Sequence, residues 1–130
     1  MSAETIVAEL AITARKAART LSTATGAERK AALEAIAQAI ETRSAEILAA
    51  NELDMVSARA EDMHPQMQDR LLLTADRIKA IAGGARQVAA LPDPLGQTLR
   101  QSTLPNGLEL QQISVPFGVI GMVYEARPNV

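Results

Sequence analysis

The side chains best suited to chemistry lie late in the sequence, from Tyr124 to Asn129. They follow Val119 to Tyr124, a nearly continuous apolar run that predicts a strand buried on both faces of a parallel α/β sheet. Ligands of open α/β sheets bind beyond the carboxyl ends of the strands. There Arg127 offers a guanidinium fork for an anion, and the Asn129 amide is a neutral donor suited to a developing oxyanion. A surface loop with a proline turn accounts for these residues equally well.

Other residues with reactive side chains favour structural roles. Glu52 with Asp54, and Glu61 with Asp62, are carboxylate pairs in polar helical sequence, so we interpret them as solvated surface. His64 precedes a proline where a helix is predicted to begin, which favours a surface or capping role over catalysis.

Composition excludes several function classes. The 130 residues contain no cysteine and one histidine, which removes thiol nucleophiles, cysteine-ligated metals and His-pair metal sites, so no metal site is expected. The net charge of −2 and the scattered basic residues argue against nucleic-acid binding. No apolar run approaches the roughly 18 residues of a membrane span, and the first residues do not form a basic secretory signal. We therefore expect a soluble cytoplasmic protein. The apolar residues are rich in alanine and poor in aromatics, so we expect a thin core unless another surface covers it.

Helical patterns occupy the chain as far as Leu91. A first helix is predicted from about Ala3 to Leu21, with one apolar stripe spaced by three and four residues. Thr25 and Glu28 have capping-box spacing and open a helical stretch that is either one bent helix or two. The stripe comprises Ile6, Val7, Leu10, Ala14, Ala17 and Leu21.

Two further helical starts follow. Pro65 suits a first helical position, and Thr74 is placed to cap a helix that ends before two prolines and a glycine at 92–96. Gly83-Gly84 weakens that helix; it lacks the lysine and spacing of a phosphate loop, so we interpret it as permitting close helix packing.

Beyond Leu91 the pattern is extended. Gln97 to Leu104 and Leu108 to Val115 flank Pro105-Asn106-Gly107, which predicts a hairpin, and its polar residues indicate a solvated ribbon. A parallel sheet around Val119 to Tyr124 would need further strands, each reached through a crossover of a dozen or more residues. We therefore expect this sequence to be the N-terminal part of a larger α/β protein.

Long stretches of the chain are similar to a known family. The run from Val115 to Val130, VPFGVIGMVYEARPNV, closely resembles a signature of the γ-glutamyl phosphate reductase family of the aldehyde dehydrogenase superfamily. Upstream segments resemble the same family in the same order, so the chain resembles roughly the first third of a member. These segments are Ile47-Leu48-Ala49-Ala50-Asn51 followed by Asp54, then Asp69-Arg70-Leu71, Leu91-Pro92-Asp93-Pro94-Leu95-Gly96 and Asn106-Gly107-Leu108.

The resemblance implies an aldehyde-dehydrogenase-like α/β fold with N-terminal helices, a hairpin that bridges subunits of a homo-oligomer, and the first strand of a Rossmann-like sheet. It implies domain boundaries of 1–96, 97–117 and 118–130 for these three parts. The implied activity is NADPH-dependent reduction of L-glutamyl 5-phosphate to glutamate 5-semialdehyde and phosphate, in proline biosynthesis.

Site roles also follow from the resemblance. Asn129 matches the superfamily's oxyanion-stabilising asparagine, and Glu125, Ala126, Arg127 and Pro128 match a loop that faces the cofactor. The family's catalytic cysteine lies outside this chain, so the segment alone is expected to be inactive. The alternative is a binding or oligomerisation module that keeps the helices and hairpin without the active site.

Overall fold

A computed structural model describes residues 2–124 and 127–129. The described residues of Met1–Arg29 and Pro92–Gly121 form one compact unit, and those of Lys30–Leu91 and Met122–Val130 form a second. Five helices precede two strands. They are α1 (Ala3–Ser22), α2 (Gly26–Thr42), α3 (Ser44–Ala60), α4 (Pro65–Leu71), α5 (Ala75–Ala89), β1 (Thr98–Thr103) and β2 (Glu109–Ile113).

A side-chain cap and charged residues stabilise the two ends of helix α1. The Ser2 hydroxyl accepts from the Thr5 amide at 3.2 Å, and Glu4 and Arg19 complement the helix dipole at its two ends. No residue of α1 is buried, however, and Ile6 and Leu10 on its predicted apolar stripe are exposed. Apart from the half-buried Ala14, the stripe therefore has no cover among the described residues.

The ambiguous middle stretch forms two helices. Thr25 and Glu28 make the predicted capping box: the Thr25 amide donates to the Glu28 carboxylate at 2.7 Å, and the Glu28 amide donates to Thr25 Oγ1 at 3.2 Å. Arg43 then separates α2 from α3 with non-helical dihedral angles, φ −95° and ψ 17°.

The core of the second unit is small, as the alanine content predicted. The largest fully buried side chain among the described residues is Ile78, and most of the other buried apolar residues are alanines. An ion pair reinforces this thin core, since the Arg86 guanidinium donates to both Glu41 carboxylate oxygens at 2.6 Å. The buried apolar residues are Ala37, Met55, Ala58, Ile78, Ala82 and Ala89.

Helices α4 and α5 have the predicted starts. His64 Nδ1 accepts from the Gln66 amide at 3.3 Å, and Thr74 Oγ1 accepts from the Arg77 amide at 3.2 Å, so both residues are caps. The interpretation of Gly83-Gly84 was wrong, because a Cβ added at either glycine would meet nothing within 4 Å. These glycines do not permit a close helix contact among the described residues.

The first unit contains the predicted hairpin. Strands β1 and β2 are antiparallel with Thr103 opposite Glu109, and every residue of both is exposed. Gly107 has φ +81°, a left-handed conformation that favours glycine, and its amide donates to the Leu104 carbonyl at 2.9 Å. At the base of the ribbon, Asp93 binds Arg29 at 2.6 Å.

The strand predicted for Val119 to Tyr124 is not formed, and its residues are exposed rather than buried. A strand gains its backbone hydrogen bonds from a neighbour. Within residues 2–124 and 127–129, the only sheet is the β1–β2 ribbon, so this run has no neighbouring strand.

Candidate functional site

Three of the predicted site residues line one cavity in the second unit. Arg127, Pro128 and Asn129 border a cavity of about 820 Å³, together with residues of α4, α5 and the connection between them. This volume lies in the range of small-molecule sites. Glu125 and Ala126, predicted to face the cofactor, lie outside the described residues.

One face of α5 forms an apolar wall of the cavity. Ile81, Gly84, Ala85 and Val88 lie at positions i, i+3, i+4 and i+7, so they share one side of the helix. Gly84 and Ala85 are small, which leaves room beside the larger Ile81 and Val88. The wall can therefore contact the carbon chain of a ligand without offering it a hydrogen bond.

Arginines supply the positive charge of the cavity. Among the described residues, Arg70, Arg77 and Arg127 all line it, against a single carboxylate, Asp69. Arg77 binds that carboxylate at 2.8 Å and also donates to the Leu72 carbonyl at 2.8 Å and to the Asp69 carbonyl. Because three guanidinium groups face one carboxylate, the described part of the lining has a net positive charge, which suits an anionic ligand.

A buried amide holds the α4–α5 connection in place. Asn51, only 5% exposed, donates from Nδ2 to the Leu71 carbonyl at 2.9 Å and accepts from the Leu73 amide at 2.7 Å. Sequence reasoning missed this role. The signal was present, because Asn51 lies four residues after Ile47 and four before Met55, on the apolar side of α3. A polar residue at such a position has to find partners when it is buried.

A smaller cavity links this clamp to the candidate site. It has a volume of about 270 Å³, and Asn51, Leu73 and Pro128 all line it. Leu73 and Pro128 also line the larger cavity. The segment that Asn51 clamps therefore borders the same space as the loop that carries Asn129.

The amino-acid sequence of this chain is similar to part of named reductases. A γ-glutamyl phosphate reductase of Geobacillus thermodenitrificans is 53% identical over 116 residues, which is 89% of this chain and 28% of the relative. The chain resembles one part of γ-glutamyl phosphate reductase. The resemblance seen in the sequence is thereby confirmed. No protein-family model matches the chain.

Solved structures of γ-glutamyl phosphate reductases have the same fold in this region. The Thermotoga maritima reductase matches with a TM-score of 0.88 and 36% identity over 93% of this chain and 29% of that one. The Saccharomyces cerevisiae reductase matches with a TM-score of 0.75 and 30% identity, over 89% and 29%. The predicted fold class is confirmed in its helices and hairpin. The chain spans less than a third of the length of these relatives.

The carboxylate pairs that we interpreted as solvated surface do not line the larger cavity. Glu52 is exposed and pairs with Arg59 at 3.3 Å, and Glu61 and Asp62 are exposed as well. Asp54 lines the smaller cavity instead. The described residues hold no cluster of three or more side chains that would bind a metal ion, and none of their helices is long and apolar enough to cross a membrane.

Carboxylates with lowered pKa values also lie away from the cavity. Hydrogen bonds from Thr25, first from its backbone amide, lower the pKa of Glu28. The guanidinium of Arg86 lowers the pKa of Glu41, and the Leu95 amide lowers that of Asp93. These groups stabilise helix starts and contacts, and none of them lines the cavity that contains Asn129.

Proposed function

We propose that this chain supplies part of the active site of an NADPH-dependent γ-glutamyl phosphate reductase. The enzyme would reduce L-glutamyl 5-phosphate to glutamate 5-semialdehyde and phosphate, in the cytoplasm, as a step of proline biosynthesis. The observation that carries this proposal is the position of Asn129, on a ligand-sized cavity with positive charge, in a chain that is 53% identical to such a reductase over 116 residues.

Asn129 is the residue we assign to the chemistry. Its side-chain amide carries no charge and donates hydrogen bonds, so it favours an oxygen that becomes negative during acyl transfer. A donor of this kind contributes mainly in the transition state, so its loss lowers kcat more than it raises KM.

The cavity lining also fits a phosphate-bearing cofactor. Arg127 and Pro128 border the same space as Asn129, and a guanidinium is well suited to phosphate oxygens. We assign Glu125, Ala126, Arg127 and Pro128 to the loop that holds NADPH, which supplies the hydride when it is bound. The chain contains no cysteine, so it has no thiol nucleophile of its own, and we expect it to be inactive by itself.

We assign a role to each of the three predicted parts. Residues 1–96 would be the helical part of the cofactor domain, residues 97–117 would form the subunit contact, and residues 118–130 would begin the Rossmann-like sheet. The fully exposed ribbon suits contact between subunits of a homo-oligomer, because both of its strands have a free edge among the described residues.

A chimeric reductase tests the proposal. This chain replaces the matching segment of the Geobacillus thermodenitrificans reductase, and NADPH oxidation with glutamyl 5-phosphate is followed. We expect activity in the chimera, and a fall in kcat of about 100-fold or more in Asn129→Ala. Gln38→Ala, which removes an exposed amide from α2 that does not line the cavity, is the matched control and should leave kcat unchanged. An Asn129→Ala variant with full kcat would overturn the assignment of Asn129.

The exposed ribbon also favours the second candidate, a non-catalytic oligomerisation module. Leu99, Leu110 and Ile113 are apolar residues exposed on it. Analytical ultracentrifugation of the 130-residue chain separates the two functions. Self-association that Leu110→Lys abolishes, together with a folded but inactive chimera, would favour the module over the reductase.

A further inference from the structure

We propose that Arg70 binds an anionic group of the substrate, a phosphate or a carboxylate, in the cavity that contains Asn129. This inference rests on the proposed reductase function and assigns a substrate-binding residue to it. Arg70 lies at the end of α4 and lines the cavity of about 820 Å³ together with Asn129.

The guanidinium of Arg70 has unused donor capacity. Its hydrogen bond within residues 2–124 and 127–129 is to the Met67 thioether at 3.9 Å, and sulfur is a weak acceptor. No carboxylate of the described residues forms an ion pair with it. A planar group with five N–H donors can therefore present a fork to two oxygens of one anion.

The neighbouring residues prepare the position for an anion. Asp69, the one carboxylate among the described residues of the lining, is neutralised by Arg77, which weakens its repulsion of a negative ligand. Arg77 also holds the backbone of Asp69 and Leu72, while Asn51 holds Leu71 and Leu73 from the other helix. The backbone on both sides of Arg70 is thus fixed by side chains, which lowers the entropy lost on binding.

The ligand that fits this space combines a reacting carbonyl, a short apolar carbon chain and an anionic group. Ile81, Ala85 and Val88 offer the chain an apolar wall, Asn129 offers a donor to the carbonyl oxygen, and Arg70 offers a fork to the anion. An amino acid whose side-chain carboxyl is activated as an acyl phosphate has these three features. Its phosphate and its α-carboxylate are the two anionic groups that Arg70 can bind.

Kinetics of the chimeric reductase in the reverse direction separate these groups. There glutamate semialdehyde, inorganic phosphate and NADP⁺ form glutamyl phosphate, NADPH and a proton, so KM is measured for each reactant separately. Arg70→Gln should raise KM for one anionic reactant by about tenfold or more, and Arg70→Lys by less, because lysine keeps the charge but loses the fork. Lys79→Gln, which removes an exposed cation from α5 that does not line the cavity, is the matched control.

The reactant whose KM rises identifies the anionic group that Arg70 binds. A higher KM for phosphate assigns Arg70 to the phosphoryl group, and a higher KM for semialdehyde assigns it to the carboxylate. A change confined to NADP⁺, a change confined to kcat, or no change would overturn the proposal. If Arg70→Gln has the same melting temperature as the unsubstituted chimera, measured without ligands, the variant is folded. An inactive parent chimera would count against the proposed function itself, which keeps the two failures distinguishable.

Discussion

Replacing Asn51 with alanine removes both hydrogen bonds of the clamp at once. The Leu71 carbonyl loses its donor at 2.9 Å and the Leu73 amide loses its acceptor at 2.7 Å. A net hydrogen bond contributes about 1 kcal/mol, and a buried group left without a partner costs about 1–3 kcal/mol. Leu71 and Leu73 are only half-buried, so water can reach part of the gap. We therefore expect Asn51→Ala to lower the free energy of unfolding by about 2–3 kcal/mol.

The assay is urea unfolding of the 130-residue chain, followed by far-ultraviolet circular dichroism. Asn106→Ala is the matched control, because Asn106 accepts one bond from the Leu108 amide at 3.1 Å in an exposed turn. Its loss should be below about 1 kcal/mol. If Asn51→Ala is no more destabilising than Asn106→Ala, the clamp does not hold the connection in the way that we argue.

Asn51→Asp sharpens the test, because it keeps the acceptor for Leu73 and loses the donor to Leu71. The introduced carboxylate faces a carbonyl oxygen in a buried position, so its pKa in the folded chain should rise above the ordinary value of about 3.9. Protonation then favours the folded state and restores a donor. The deficit relative to wild type should be largest at neutral pH and shrink as the pH falls through the raised pKa. A deficit that is constant with pH would contradict this reasoning.

Two further predictions concern helix stability and acid unfolding. Gly83→Ala should raise the free energy of unfolding by about 0.5–1 kcal/mol, because the added Cβ meets nothing within 4 Å and alanine favours helix. Urea unfolding measures this, and a loss of stability would mean that the glycine is needed in place. The Glu41 pKa is lowered from 4.5 by Arg86, so the stabilisation is complete above about pH 4.5 and is lost as the pH falls through the lower folded value. Melting temperatures of Glu41→Gln should therefore fall less than those of wild type between about pH 5 and pH 3, and parallel curves would refute that cause.

Local signals in the sequence were sufficient for the starts of three of the helices and for the hairpin, although not for the break between α2 and α3. Capping residues such as Thr25 and Thr74 act through atoms within three residues, and the Asn106-Gly107 turn sets its own backbone. These features depend on few distant contacts, so a single sequence predicts them. The Arg86–Glu41 pair joins residues 45 positions apart, and nothing in the local pattern around either residue selects the other.

The candidate site shows the same division between local and distant information. The types of Arg127 and Asn129 and the proline between them drew attention to a loop that lines the cavity, but the other described lining residues lie in α4, α5 and their connection, some 40 to 60 positions earlier. The apolar spacing of Ile81, Ala85 and Val88 is typical of a helix face turned inward, although the pattern alone does not say whether such a face packs against protein or lines a cavity. The exposed run from Val119 to Tyr124 likewise depends on residues distant in the sequence. Its composition suits a buried strand, yet composition supplies no hydrogen-bond partner, and burial requires neighbours that residues 2–124 and 127–129 do not provide. We infer that the apolar stripe of α1 and this run are two surfaces of the same kind, each specified by its pattern and each stabilising only when another surface covers it.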